Sequence, residues 1–264
     1  MELQRIRGDI YCIDAIPARD LSRRAMLTDW NKVIHSVQIQ GKAHLLTVYS
    51  LFHLSLATTQ QEGKIKRVDR QKNPFGSGKI ELQEYQHGAG WHIHALLWAE
   101  NDAAIGALAL KELWEQVNGG KASIKRCDNM GKVVYMLLQE VASKTTAWGY
   151  KGKQDKHDFF HRARALLPIT ESNRRMFPMW QDNLQRGLYD LFGSDIPLKL
   201  QRLDETKDEK ERKRLLKRLR EIRSKRRIFA KEYNTRSCSD LARKMRPRLE
   251  VKDIDAFLEL AMQQ

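Results

Sequence analysis

Trp91-His92-Ile93-His94-Ala95-Leu96-Leu97-Trp98 is the stretch that decides the fold. It is rich in β-branched, aromatic and aliphatic residues, lacks Gly and Pro, and follows the turn-forming segment His87-Gly88-Ala89-Gly90, so it reads as a strand. Side chains at i and i+2 share a face of a strand. His92 and His94 therefore point one way, and Ile93 and Ala95 the other. Two imidazoles roughly 6–7 Å apart on one face can chelate a divalent cation. Ile80 to Gln86 is a second strand candidate, and the link 87–90 suits a hairpin. If Gln86 pairs with Trp91, Glu81 shares the histidine face and becomes the third ligand. A bulge in the hairpin would put Glu84 there instead.

Outward from this core, residues 20–37 carry Met26, Trp30, Val33 and Ile34 at helical spacing, and His44 to Ser50 reads as a strand. The first 19 residues show no clear pattern. Residues 58–79 form a polar, basic loop. Residues 102–118 read as a helix ending at Gly119-Gly120, Lys121 to Arg126 as a short strand, and Gly131 to Lys144 as a helix capped by Asp128 or Asn129. This order predicts an α+β fold, an antiparallel sheet covered by helices on one face. Beyond it, 145–200 mixes aromatic and basic residues. Residues 201–232 form a charge-dense helix, and 237–262 two short helices broken at Arg246-Pro247. The expected division is a domain at 1–195 and a basic helical region at 196–264.

The chain has 264 residues, 41% hydrophobic, with a formal net charge of +15. A core is feasible, and the basic excess favours a polyanionic partner, nucleic acid first among them. No run approaches the roughly 18 apolar residues of a membrane span, so a membrane is not expected as a partner. Cys12, Cys127 and Cys238 are odd in number and far apart, which argues against a disulfide framework or a zinc ribbon and for a reducing, cytoplasmic setting. Two basic segments suit nucleic acid: Lys151 to Lys156 beside Trp148 and Phe159, and the helix around Lys210 to Arg220. The latter reads equally as a solvated helix laced with pairs such as Glu209–Lys213.

In the helix after the last strand, Val134, Leu137, Leu138 and Val141 make an apolar face, while Lys132, Tyr135, Gln139 and Ser143 share a polar one. Tyr135 can thus turn its hydroxyl away from the helix's own apolar contacts.

The strand with its two histidines, set before a tyrosine-bearing helix, resembles the HUH endonucleases, in particular rolling-circle replication initiators of plasmids and phages. The resemblance covers roughly residues 43–145, more weakly to about 190. Leu45-Leu46-Thr47-Val48-Tyr49 resembles the family's first motif, Trp91-His92-Ile93-His94 its second, and Tyr135 the tyrosine of its third; Glu81 resembles the acidic residue of the preceding strand. The resemblance implies a ferredoxin-like sheet and a divalent cation, Mn or Mg, on His92, His94 and Glu81. It also implies attack of the Tyr135 phenolate on single-stranded DNA at a replication origin, in a bacterial or archaeal cell, with a host helicase or polymerase as a further partner. Lys132, and less directly Lys144, would favour the ionised phenol, whose ordinary pKa is about 10. Relatives often carry a second tyrosine or a lysine one turn on; here stand Leu138 and Gln139, which points to a single-tyrosine enzyme with Tyr150 in reserve. Glu140 resembles an acid that activates water in some relatives. Two other readings remain open: a non-catalytic DNA-binding initiator, and a metal-dependent hydrolase using water.

Overall fold

The computed structural model describes residues 7–18, 21–39, 46–54, 91–140, 144–149, 156–192, 203–233 and 246–263. Five strands form one antiparallel sheet: β1 (Asp9–Ile16), β2 (Thr47–Leu54), β3 (Trp91–Ala99), β4 (Lys121–Arg126) and β5 (Lys144–Trp148), in the order β4-β1-β3-β2-β5. Helix α1 (Arg23–Ile39) connects β1 to β2, and α2 (Ala103–Asn118) connects β3 to β4. The first four strands and these two helices make a ferredoxin-like βαββαβ unit, two split βαβ crossovers interleaved, with β5 added beside β2. The α+β reading holds.

β3 is central because it is apolar on both sides. Of its residues only His92 is more than slightly exposed, as expected for a strand covered on both faces. The antiparallel registers define the faces. Ser50, Phe52, Ile93, Ala95 and Leu97 share the face under α1 and α2, where the buried Trp30 indole donates to Ser50 Oγ at 2.8 Å and meets Trp114 edge to face, centroids 5.6 Å apart. Tyr49, one residue from Ser50, points the other way and packs against Phe159 and Phe160 of α4 (Lys156–Leu166). Helices thus cover both faces, not one. Part of that second layer comes from the stretch 145–200 that composition leaves illegible.

Four other expectations change. The unpatterned N-terminus holds β1. The strand expected at 44–50 runs on to Leu54. The tyrosine helix, α3 (Gly131–Gln139), stops five residues short of Lys144, which instead opens β5 opposite Phe52. Both edges of β3 are taken, by β1 along Ile93–Ala99 and by β2 along Trp91–Trp98. The hairpin register that singled out Glu81 therefore has no support from β3; Glu81 and Glu84 themselves lie outside the described residues. By contrast α2 ends as expected: Gly119 takes a left-handed φ of 65° and its N–H bonds Glu115 O at 2.9 Å, while a Cβ on Gly120 would lie 2.1 Å from Ile16 O.

The chain divides into two compact units, one of residues 1–54, 91–181 and 243–264 and the other of 55–90 and 182–242. The C-terminal helix α7 (Ile254–Gln263) belongs to the sheet unit. Phe257 packs on Phe177 of α5 (Glu171–Phe192), and Arg248 donates to Leu137 O at 2.8 Å. In the second unit, α6 (Glu209–Tyr233) buries Leu219 and Ile222, exposes Lys210, Arg212 and Lys213, and carries the Glu209–Lys213 pair at 2.7 Å. Among the described residues no helix is long and apolar enough to cross a membrane.

Removing the Ser50 hydroxyl leaves the Trp30 N–H buried without a partner, which costs about 1–3 kcal/mol. Ser50→Ala is expected to lower the urea midpoint accordingly, and adding Trp30→Phe to cost less than the sum of the two single changes.

Candidate metal centre

Asp14, His53, His92 and His94 lie on one sheet face because of three registers. His53 of β2 stands opposite His92, Leu51 opposite His94, and Asp14 of β1 opposite His94 from the other side. His53 Nδ1 lies 3.0 Å from His92 Nε2, which lies 3.1 Å from His94 Nε2. His53 and His94 are buried and His92 is half-buried. Three imidazole nitrogens converging in this way could hold a metal ion. Metal–nitrogen bonds of about 2.0–2.1 Å at tetrahedral angles separate such nitrogens by roughly 3.3 Å; the two contacts of His92 Nε2 are near that value, and the three ligand atoms lie within 4.8 Å of one another.

Asp14 completes the arrangement behind His94. Its Oδ1 lies 2.5 Å from His94 Nδ1, so the ring donates its Nδ1–H there and presents the Nε2 lone pair to the cluster. Lys132 of α3 in turn donates to Asp14 Oδ1 at 2.7 Å. Burial opposes the ionisation of Asp14, but the Lys132 ammonium and His94 outweigh it and hold its carboxyl well below the usual range. Burial likewise disfavours the Lys132 charge, and Asp14 more than restores it, so the ammonium persists well above its ordinary pKa. Burial and then Lys132 push His94 down against the opposing pull of Asp14, which favours the neutral ring a metal needs.

Tyr135 is half-buried between two rings, its centroid 6.1 Å from that of His94 and 6.4 Å from that of Trp180 on α5. The Lys132 ammonium lies 5.6 Å from the Tyr135 ring centroid. The start of α3 is pinned by Asn129, whose Oδ1 accepts from the Gly131 N–H at 2.9 Å and from Asn173 Nδ2 at 3.0 Å.

Of the residues expected from sequence, His92, His94, Lys132 and Tyr135 come together. Lys144 lies on β5, not on the tyrosine's helix. Glu81 and Tyr150 lie outside the described residues. Glu140 does not stand free as an acid that activates water would: it accepts from the Tyr49 hydroxyl at 3.1 Å and Lys156 at 3.0 Å, with Arg248 at 3.5 Å. Burial, and then this carboxylate, push the Tyr49 phenol up. Sequence reading missed His53 and Asp14. Leu51-Phe52-His53-Leu54 continues the β pattern and Ile10-Tyr11-Cys12-Ile13 starts one, so both strands had a signal; which strands flank β3 did not.

The fold and these side chains define a ferredoxin-like α+β protein with a three-histidine cluster able to hold a metal ion, beside a tyrosine. Compared with known proteins, the chain matches no family model, no curated protein and no solved structure.

Two measurements check the centre. In calorimetric titration with Mn²⁺ or Co²⁺, His53→Ala is expected to weaken binding by roughly 100-fold or more and Asp14→Asn by about 10–100-fold, with Glu81→Gln near wild type. Equal loss in Glu81→Gln and none in His53→Ala would return the third ligand to Glu81. In chelator, the stability that Asp14 contributes is present above its unfolded pKa of about 3.9 and is lost as pH falls below it. The gap in unfolding free energy between wild type and Asp14→Asn should therefore hold steady from about pH 5 upward and shrink in more acidic buffer.

Proposed function

We propose that this protein is a metal-dependent single-stranded DNA endonuclease and strand transferase of the HUH type, initiating rolling-circle replication. The observation that carries this reading is the placement of Tyr135 beside His94 of a three-histidine centre. The +15 charge supports a polyanionic substrate.

A divalent cation held by His53, His92 and His94 would polarise the scissile phosphate. Of Mn²⁺ and Mg²⁺, three neutral imidazoles favour Mn²⁺, because Mg²⁺ prefers oxygen donors. Tyr135 is the nucleophile: its phenolate oxygen bonds to phosphorus, the bond from phosphorus to the 3′-oxygen breaks, and that oxygen takes up a proton. The products are a 5′-phosphotyrosine and a free 3′-OH able to prime synthesis. Lys132, charged and near the tyrosine ring, favours the phenolate, while its bond to Asp14 keeps it in place. Trp180 and His94 restrict the tyrosine ring. With one tyrosine in this helix, strand transfer runs by reversal, a 3′-OH attacking the phosphotyrosine.

A water-using hydrolase is the second reading, since a three-histidine site leaves coordination positions for water.

Incubation with Mn²⁺ and a labelled, randomised single-stranded DNA library, followed by a denaturing gel, separates the readings. A cation-dependent covalent adduct is expected, with Tyr135→Phe reducing cleavage by roughly 10³-fold or more and abolishing the adduct. Cleavage without an adduct would favour the hydrolase. DNA binding without cleavage would leave a non-catalytic initiator.

A further inference from the structure

β4 is an edge strand, and its two faces differ. Ala122 is buried, Ile124 half-buried, and both lie on the α2 side, where the Ala122 N–H meets Glu115 of α2 at 3.2 Å. Lys121, Ser123 and Lys125 are exposed. The register sets Lys125 opposite Cys12, Ser123 opposite Asp14 and Lys121 opposite Ile16. These three side chains therefore belong to the face that carries Asp14 and His94. The strand contains no acidic residue.

We propose that this open lane of β4 is a track for the sugar-phosphate backbone of single-stranded DNA, leading the strand to the metal centre; the assignment rests on the endonuclease reading above. Ser123 lies two strand spacings from His94, about 10 Å. Lys121 and Lys125 are separated by roughly 13 Å along the strand, with Ser123 midway. Residues two apart thus recur at a stride near that of successive phosphates in an extended strand, and the two ammonium groups and the hydroxyl between them are the groups that bind phosphate oxygens. Such contacts fix position rather than sequence, which suits a surface that guides DNA toward a nucleophile. Edge lysines also keep sheets from pairing with one another, a role that makes no demand on salt dependence.

The test is binding of a labelled single-stranded oligonucleotide over a series of salt concentrations, in Mn²⁺ and on the Tyr135→Phe background so that no turnover intervenes. Lys121→Gln with Lys125→Gln should weaken binding roughly tenfold and lower the slope of log K against log salt by about 1.4, two phosphate contacts' worth on a single strand. Ser123→Glu should weaken binding by repulsion. Arg126→Gln is the matched control: Arg126 is also exposed but stands opposite Tyr11, on the other face and out of the lane. It should leave the slope unchanged. With Tyr135 restored, the lysine pair should raise KM and leave kcat near wild type. An unchanged slope in the lysine double variant, with wild type still binding and cleaving, would overturn the track alone. Equal loss in Arg126→Gln would reduce it to diffuse charge. Failure of the unsubstituted protein to bind single-stranded DNA would overturn the endonuclease reading and the track with it. The substituted residues are exposed, so an unchanged urea midpoint should accompany each variant.

Discussion

β3 has no free edge. Its residues from Ile93 to Trp98 are hydrogen-bonded to β1 on one side and β2 on the other, and the pleat then dictates where each side chain goes. The period of two along a strand admits no compromise: a slip of one residue would send His92 and His94 to the face packed by Trp30 and Trp114. Burial guards the register. Ile93, Ala95 and Leu97 have no water to return to, and the opposite face is nearly as closed. The same two ladders bring His53 and Asp14 to the histidines, so the cluster follows directly from strand pairing.

The two faces serve different ends. Under α1 and α2 the contacts are largely apolar, and the buried Trp30 indole is matched by Ser50. The other face carries ions, and each is matched by another. Lys132, Asp14 and His94 form a chain of donor, acceptor and donor from α3 to the sheet, and Glu140 gathers Tyr49, Lys156 and Arg248 nearby. A buried charge without a partner is costly; Asp14 and Lys132 shift each other toward the charged form. Lys132 stands three residues before Tyr135, so the chain that orients the His94 ring also fixes the turn of α3 that carries the tyrosine. The orientation of His94 and the position of Tyr135 are coupled through Asp14 and Lys132.

The additions beyond the ferredoxin-like unit explain what encloses this centre. α4, α5 and α7 close over the second face, with Trp180 reaching Tyr135 and Arg248 reaching the end of α3. They leave Lys121, Ser123 and Lys125 of β4 exposed.

Local pattern in the chain was sufficient for α1, α2, β3 and β4, because periodicity and glycine punctuation are properties of neighbouring residues. It also singled out His92, His94, Lys132 and Tyr135, each placed by its own strand or helix. It did not determine which strands flank β3. Pairing across nearly eighty residues between Asp14 and His94, and about forty between His53 and His92, is decided by which faces can be buried together, and no local signal encodes it. Reading β3 as half of a hairpin made Glu81 its neighbour; the tertiary structure puts β2 there and makes His53 the third imidazole. The end of α3 at Gln139 follows the same logic, since Lys144 gains a ladder with Phe52 on the free edge of β2 in exchange for another helical turn. Local spacing determined α1, α2, β3, β4 and half of the site. Only the packing of the sheet could decide the partners of β3, and with them the rest.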